Sequence, residues 1–189
     1  MRQLESERLA HEYMLEQFKR RGERRMVRRL ASAPVTASGG TPRAYLAVRD
    51  RAMHRLGIGT TREMTSVLSG LVWPSITSPA YTPAEKIRLW RGKLVTGVSA
   101  LWDDMLATDL GQKVPELALP AYFLHGVYDY TVSYALARQY VTNLRAPLKG
   151  FYTFECSAHS PIFEEPQKAR RILREDVLAG TTALADGTS

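Results

Sequence analysis

The stretch that decides the fold is Leu119-Pro-Ala-Tyr-Phe-Leu-His-Gly-Val-Tyr-Asp-Tyr-Thr-Val132. Its apolar run ends in a glycine turn at Gly126, and Asp129 follows three residues later. This order predicts a buried strand over residues 118–124 that delivers a carboxylate just beyond its C-terminal end. Open α/β sheets place their functional residues at that edge, so Asp129 is a candidate site residue.

A second stretch repeats the arrangement with a histidine. Residues 151–156, Phe-Tyr-Thr-Phe-Glu-Cys, are rich in aromatic and β-branched side chains, which is typical of a strand. The loop that follows, Ser157-Ala-His-Ser-Pro-Ile-Phe-Glu-Glu-Pro166, carries His159. Between the two stretches, residues 132–144 keep one apolar stripe at helical spacing. Together they predict a strand-helix-strand-helix unit of a parallel sheet.

These two motifs carry a family resemblance. His125-Gly-Val-Tyr-Asp-Tyr-Thr-Val132 and the His159 loop closely resemble the acid-bearing and histidine-bearing motifs of the α/β-hydrolase superfamily, particularly its proline-iminopeptidase-like serine hydrolases. In that family the chain order is Ser, then Asp or Glu, then His. The resemblance covers about residues 115–178. It implies that Asp129 is the catalytic acid, that His159 is the catalytic base, and that the reaction is amide or ester hydrolysis, including an aminopeptidase-like one.

The first part of the chain has a helical pattern. One helix is predicted from Met1 to about Arg21, Gly22 interrupts it, and a second helix runs to about Ala33. Residues 5–17 are similar to the start of the helical cap that such hydrolases insert into their core. The resemblance therefore implies a partial α/β-hydrolase fold of the α/β class. Its two parts are a mainly helical cap over residues 1–110 and the C-terminal part of the core over residues 111–189.

Two capping boxes predict helix starts in the cap, at Thr60-Thr-Arg-Glu63 and at Thr82-Pro-Ala-Glu85. In such a box the threonine and the glutamate three residues later each accept a hydrogen bond from the other's backbone N–H. The Pro- and Ser-rich residues 73–81 predict a turn, and residues 109–115 predict a link to the first strand.

The family's nucleophile is missing from this sequence. It occupies a Gly-x-Ser-x-Gly turn between a strand and a helix, and no such pattern occurs here. The nearest approximation, Gly97-Val-Ser-Ala-Leu101, lacks the second glycine and lies in a helical pattern, so Ser99 is interpreted as a small residue of a cap helix. We therefore expect the C-terminal half of a hydrolase, inactive alone. The alternative is a non-catalytic remnant or binding protein with the same fold.

Other candidate reactive groups have weaker patterns. Cys156 is close enough to His159 in sequence to suggest a Cys-His nucleophile, but its position at the end of a predicted strand favours a buried structural thiol. His11, His54 and His125 lack the spacing of zinc ligands, so we expect neither a metal nor a cofactor. His125 is interpreted as part of the turn after the strand.

The charge distribution is uneven. The chain has 26 basic and 19 acidic residues, for a formal charge of +7. Seven of the basic residues fall in one short segment: Lys19, Arg20, Arg21, Arg24, Arg25, Arg28 and Arg29. Such a cluster could bind a polyanion. A helical apolar stripe among these residues and the absence of interleaved aromatic side chains favour a solvated helix face, and we expect no nucleic-acid partner.

The remaining expectations concern location and partners. No apolar run approaches the roughly 20 residues that a membrane span requires, and the N-terminus lacks a signal-peptide pattern, so we expect a cytoplasmic protein with no membrane contact. A small-molecule or peptide substrate is expected once an N-terminal half completes the site. If the enzyme is an aminopeptidase, an acidic residue would bind the substrate amino group; Glu5 and Glu7 are the candidates, although no motif identifies either. An exposed sheet edge would favour self-association.

Overall fold

Three helices build the N-terminal part of the chain. A computed structural model describes residues 3–36, 41–96, 104, 105 and 107–187. The three helices are α1 (Gln3–Arg20), α2 (Arg24–Ala31) and α3 (Arg43–Leu56). Gly22 has a φ of +69°, a left-handed conformation that glycine adopts without strain, and this lets the chain reverse between α1 and α2. The predicted break at Gly22 is confirmed.

These helices enclose the larger apolar core. Its fully buried side chains come from all three helices and from the segments after α2 and α3, and include Met14, Phe18, Leu30, Tyr45, Met53 and Ile58. Tyr128 and Tyr130, which flank Asp129, pack against this core from the second half of the chain. The helical part therefore supports the segment that carries the predicted catalytic acid.

One of the two predicted capping boxes is confirmed. After a π-helical turn (Leu68–Val72), helices α4 (Trp73–Thr77) and α5 (Pro83–Thr96) follow. At the start of α5 the Thr82 N–H donates to Glu85 Oε2 at 2.8 Å, and the Glu85 N–H donates to Thr82 Oγ1 at 3.4 Å. Part of the predicted turn over residues 73–81 is helical instead, because the proline of α4 lies in its first turn, where a missing N–H costs no hydrogen bond.

The prediction of a capping box and a helix start at Thr60 is wrong. No helix begins there, and Thr61 Oγ1 instead accepts a hydrogen bond from the Met64 N–H at 3.1 Å. The two carbonyls just before Thr60 accept hydrogen bonds from distant loops. Ile58 O accepts from the Tyr130 N–H, and Gly59 O accepts from the His159 N–H, each at 3.2 Å. These long-range bonds fix the segment in a non-helical path.

The second part of the chain contains a two-stranded parallel sheet. Strand β1 (Ala121–Gly126) pairs in register with β2 (Lys149–Phe154), from Ala121 opposite Lys149 to Gly126 opposite Phe154. The predicted link before β1 contains the short helix α6 (Leu110–Lys113), and α7 (Tyr134–Asn143) connects the two strands. Strand β1 begins later than predicted because Pro120 has no N–H to donate to a neighbouring strand.

Helices cover both faces of this sheet. On one face, Ala137 and Val141 of α7 pack against Phe151. The last helical segments are α8 (Pro161–Glu164), α9 (Pro166–Ile172) and a π-helical turn (Leu173–Val177). On the other face of the sheet, Tyr152 and Phe154 pack against Ala169 and Ile172 of α9 and against Val177 of the π-helical turn. The chain is thus a mixture of helices and a small parallel sheet, consistent with the predicted α/β class.

The two edges of the sheet differ. The outer edge of β2 is occupied by Asp186, whose N–H donates to Phe151 O at 2.8 Å and whose Oδ2 accepts from the Thr153 N–H at 3.1 Å. Strand β1 pairs only with β2 among the described residues, so its other edge carries no strand there. Within the same part of the chain, no helix combines the length and apolar character that crossing a membrane requires.

Candidate acid-base site

Asp129 lies in the turn that follows β1. Its N–H donates to Gly126 O at 3.2 Å, and its Oδ1 accepts hydrogen bonds from the N–H groups of Thr131 at 2.8 Å and Val132 at 3.0 Å. Only 5% of the residue is exposed. Backbone N–H groups that donate to a buried carboxylate form charge-assisted hydrogen bonds and fix its orientation. The other oxygen, Oδ2, is left for a side-chain partner.

That partner is His159. Its Nδ1 lies 2.8 Å from Asp129 Oδ2, so the two residues selected from the sequence are in direct contact. An ionised carboxylate only accepts hydrogen bonds, so Nδ1 carries the hydrogen and Nε2 of the neutral ring keeps its lone pair. Within the described residues no group is hydrogen-bonded to Nε2, and 43% of the His159 side chain is exposed. A ring held at Nδ1 and open at Nε2 can accept a proton from a reacting group.

The electrostatic surroundings of His159 favour its charged form. The hydrogen bond to Asp129 raises the pKa of His159 above the ordinary value of 6.5. Burial and the Arg49 guanidinium act in the opposite direction without cancelling this effect. The carboxylate therefore stabilises the imidazolium that proton transfer to Nε2 would create.

His125 belongs to the strand rather than to the following turn, so that prediction is wrong. It pairs with Thr153 in the sheet, and β1 continues to Gly126. Its ring stacks on Phe151, with centroids 6.0 Å apart and planes 17° apart. Its Nε2 is 3.8 Å from Asp129 Oδ2, beyond hydrogen-bonding range.

Two glutamates hold the histidine loop, and the sequence reasoning missed both. Glu164 Oε2 accepts from the Ala158 N–H at 2.9 Å, and its Oε1 accepts from the Arg62 N–H at 2.6 Å. Glu165 Oε2 accepts from the Cys156 N–H at 3.0 Å and from Ser157 Oγ at 2.6 Å. Both glutamates lie within the motif over residues 157–166, just after the loop that carries His159. The N–H groups of such a loop require hydrogen-bond acceptors, and two carboxylates so close in sequence are the signal that could have identified them.

Helix α1 holds the turn that carries the acid. Ser6 Oγ accepts from the buried Ser133 N–H at 2.7 Å, and Gln3 Nε2 donates to Thr131 O at 3.1 Å. Two turns further along α1 from Ser6, Tyr13 stacks on Tyr130, with ring centroids 4.1 Å apart. The first helix of the chain therefore acts on a turn more than 120 residues away, as the sequence separations of 127 and 128 show.

Glu7 of the same helix belongs to a buried ion pair. Arg49 donates to both of its oxygens, from Nε at 2.7 Å and from Nη2 at 2.8 Å, and the Tyr45 hydroxyl donates to Oε2 at 3.0 Å. The Glu7 side chain has no exposed surface. Because its carboxylate is saturated, Glu7 is a structural ion-pair partner rather than a free acceptor for a substrate amine. Glu5, the other candidate for binding a substrate amine, forms an ion pair with Arg8 at 2.7 Å.

Three other sequence hypotheses have different outcomes. Cys156 is exposed, so the prediction of a buried thiol is wrong: β2 ends at Phe154, which places the cysteine in the following turn. Ser99 lies outside the described residues. In the described part of the chain, no group of three or more His, Cys, Asp or Glu side chains is placed to hold a metal ion.

Comparisons with known proteins give one partial similarity. The chain is 36% identical over 66 residues to a protein of Bacillus subtilis (strain 168) named Probable aminopeptidase YbaC. The match covers 35% of this chain and 21% of that relative, so the chain spans about a fifth of the relative's length. No family model matches the chain, and no solved structure matches it. The narrower assignment to the α/β-hydrolases is therefore not confirmed by these comparisons.

Proposed function

We propose that Asp129 and His159 are the catalytic acid and base of a serine hydrolase of the α/β-hydrolase type that cleaves amide or ester bonds. The observation that carries this proposal is the 2.8 Å hydrogen bond from His159 Nδ1 to a buried, backbone-anchored carboxylate, with Nε2 left open. The order of the two residues along the chain agrees with that family's order. The division into a cap over residues 1–110 and core over residues 111–189 is part of the proposal.

In this mechanism the two residues have distinct tasks. His159 Nε2 takes the proton from a serine hydroxyl as its oxygen forms a bond to the substrate carbonyl carbon. The resulting imidazolium then gives that proton to the leaving amine or alcohol as the bond to the carbonyl carbon breaks. Asp129 stays ionised, keeps the proton on Nδ1 and stabilises the imidazolium between the two steps.

The serine itself is proposed to come from outside this sequence, which contains no Gly-x-Ser-x-Gly pattern. Parallel strands end at one edge of a sheet, and Asp129 and His159 follow the C-terminal ends of β1 and β2. A further parallel strand added beside the open edge of β1 would deliver a nucleophile to that same edge. The self-association expected from the sequence would involve this edge as well.

The partial relative supports a peptidase-type reaction. That protein is named a probable aminopeptidase, and its greater length leaves room for residues that this chain does not contain. We propose the amide bond after an N-terminal amino acid as the substrate class. Glu7 is already paired with Arg49, so another acceptor would have to bind the substrate amino group.

The test begins with the native gene product, whose intact mass is compared with the 21.2 kDa of this chain. The native product, together with any partner that purifies with it, is treated with a fluorophosphonate and with aminoacyl p-nitroanilides. We expect covalent labelling of a serine and amide hydrolysis, both lost in His159→Ala and strongly reduced in Asp129→Asn. Glu155→Gln, an exposed change near the same loop, serves as the control. Full activity of His159→Ala would contradict the proposal.

A second candidate function is a binding protein that retains the fold without catalysis. Within the described residues, no serine, threonine or cysteine side chain is hydrogen-bonded to His159 Nε2, and this observation favours it. The same experiment separates the two functions. Binding of an aminoacyl amide by the native product without labelling or turnover would support the binding protein.

A further inference from the structure

A cleft between α2 and α3 gathers positive charge away from the acid-base site. It has a volume of about 440 Å³ and is lined by five arginines, Arg24, Arg25, Arg29, Arg51 and Arg55, together with Glu23. We call this set the arginine cleft. None of its lining residues contacts Asp129 or His159 through a hydrogen bond or ion pair in the described part of the chain. The cleft therefore needs a separate explanation.

The cleft has too few carboxylates to balance its charge. Glu23 pairs with Arg55 at 2.9 Å. The other four arginines, Arg24, Arg25, Arg29 and Arg51, form no ion pair within the described residues, and their side chains are exposed. Exposed arginines without an ion pair also occur elsewhere among the described residues, such as Arg88 and Arg170, but four of them line this one cleft. The positive charge of the cleft is thus left for a ligand or for solvent ions.

The arrangement along the helices adds to this imbalance. Arg25 and Arg29 are four residues apart on α2, and Arg51 and Arg55 are four residues apart on α3. Like charges at this spacing lie on the same helix face and destabilise the helix. Two such pairs line one cleft, and no carboxylate of the described residues forms an ion pair with Arg25, Arg29 or Arg51 to offset the repulsion. An anion between the two helices would compensate it.

We propose that the arginine cleft binds a small anion that carries two or more linked phosphate groups. Guanidinium groups suit phosphate oxygens because their N–H donors form paired, charge-assisted hydrogen bonds. The volume falls in the range of small-molecule sites rather than of extended nucleic-acid grooves. No aromatic side chain lines the cleft, so it offers no platform on which bases could stack. Met26, which is buried, is the one apolar residue of the lining.

The test is isothermal titration calorimetry of the 189-residue chain with tripolyphosphate, with sulfate at matched ionic strength as the low-charge comparison. We expect saturable binding of tripolyphosphate and much weaker binding of sulfate. In the double variant Arg25→Gln, Arg29→Gln, affinity should fall roughly tenfold or more, since two charge-assisted contacts are lost. Both side chains are exposed, and circular dichroism verifies that each variant keeps its helices.

The matched control is the double variant Arg170→Gln, Arg174→Gln. These arginines are also exposed and four residues apart, but they lie outside the cleft and the acid-base site. Unchanged binding by this variant supports the proposal. Absence of tripolyphosphate binding by the unaltered chain, or equal losses in the two double variants, overturns it. Tighter, arginine-dependent binding of single-stranded RNA than of tripolyphosphate overturns the assignment to a small ligand.

Discussion

The backbone of Gly126 lies against the carbonyl of Ala158 so closely that no side chain fits between them. A Cβ at position 126 would be 2.1 Å from Ala158 O and 2.3 Å from Ser157 O. The end of β1 and the histidine loop are therefore in backbone contact, which the hydrogen bond from the Tyr128 N–H to Ser157 O at 3.0 Å reinforces. This contact brings Asp129 and His159 to hydrogen-bonding distance.

We predict that Gly126→Ala separates the two loops. The methyl group must displace backbone atoms, and overpacking of this kind typically costs about 1–3 kcal/mol of unfolding free energy or more. Urea unfolding measures that loss. The matched control is Gly92→Ala on α5, where an added Cβ meets nothing within 4 Å and a helical alanine is favoured by up to about 1 kcal/mol. Equal stability of the two variants would contradict the packing argument.

The Asp129→Asn variant should lower the pKa of His159. The hydrogen bond and charge of Asp129 are the causes that raise this pKa, and the amide supplies no negative charge. NMR titration of the His159 ring protons measures the change directly. Glu155→Gln, which removes an exposed carboxylate near the same loop, should leave the titration unaltered. An unchanged His159 pKa in Asp129→Asn would show that the contact does not persist in solution.

The raised pKa of His159 also predicts how stability depends on pH. Because the folded chain holds the proton more tightly than the unfolded chain does, the stabilisation is fully present below about pH 6.5 and is lost as pH rises through the folded pKa. His159→Gln should therefore lose more stability at acidic than at alkaline pH.

His54 provides a control of opposite sign for that experiment. Burial lowers the pKa of His54, so the unfolded chain binds its proton more tightly. The penalty that His54 imposes appears as pH falls below about 6.5, and His54→Gln should relieve it. Denaturant unfolding of both variants across this pH range measures the two trends. Parallel trends in the two variants would contradict the assigned shifts.

Local patterns account for what the sequence predicted correctly. The glycine turn before Asp129 and the aromatic, β-branched run before His159 are signals within one strand and its following loop. The capping box at Thr82 is equally local, since both of its partners lie within one helical turn. Residues this close in sequence form these contacts independently of how the rest of the chain folds.

The failures involve contacts between distant segments. The end of β2 at Phe154 is set by its pairing with β1, and a difference of two residues places Cys156 in an exposed turn. At Thr60 the capping-box pattern did not form a helix, because the neighbouring carbonyls of Ile58 and Gly59 accept hydrogen bonds from distant loops. The ion pair of Glu7 with Arg49 joins residues 42 positions apart, and neither helix alone indicates the other partner. Periodicity and spacing contain no information on such pairs.

That ion pair gives a prediction about stability. Arg49→Gln leaves the Glu7 carboxylate buried and without its cation, and such a change costs about 3–5 kcal/mol. The exposed pair Arg171 and Glu175 is the control, because Arg171→Gln should cost at most about 1 kcal/mol. Urea unfolding compares the two. The Arg49 variant should also raise the pKa of His159, because the guanidinium lowers it. Similar losses in both variants would rule out the buried pair.

The contact between Ser6 and Ser133 predicts that α1 controls the order of the acid-bearing turn. Ser6→Ala leaves the buried Ser133 N–H without an acceptor, which costs about 1–3 kcal/mol. Because the Thr131 and Val132 N–H groups that bind Asp129 lie in the same turn, their hydrogen exchange should accelerate. The control is Ser32→Ala, which removes an exposed hydroxyl that donates to Arg29 O at the end of α2. It should alter neither the stability nor the hydrogen exchange. Protection of both N–H groups in Ser6→Ala equal to that in the unaltered chain would show that the turn is ordered without α1.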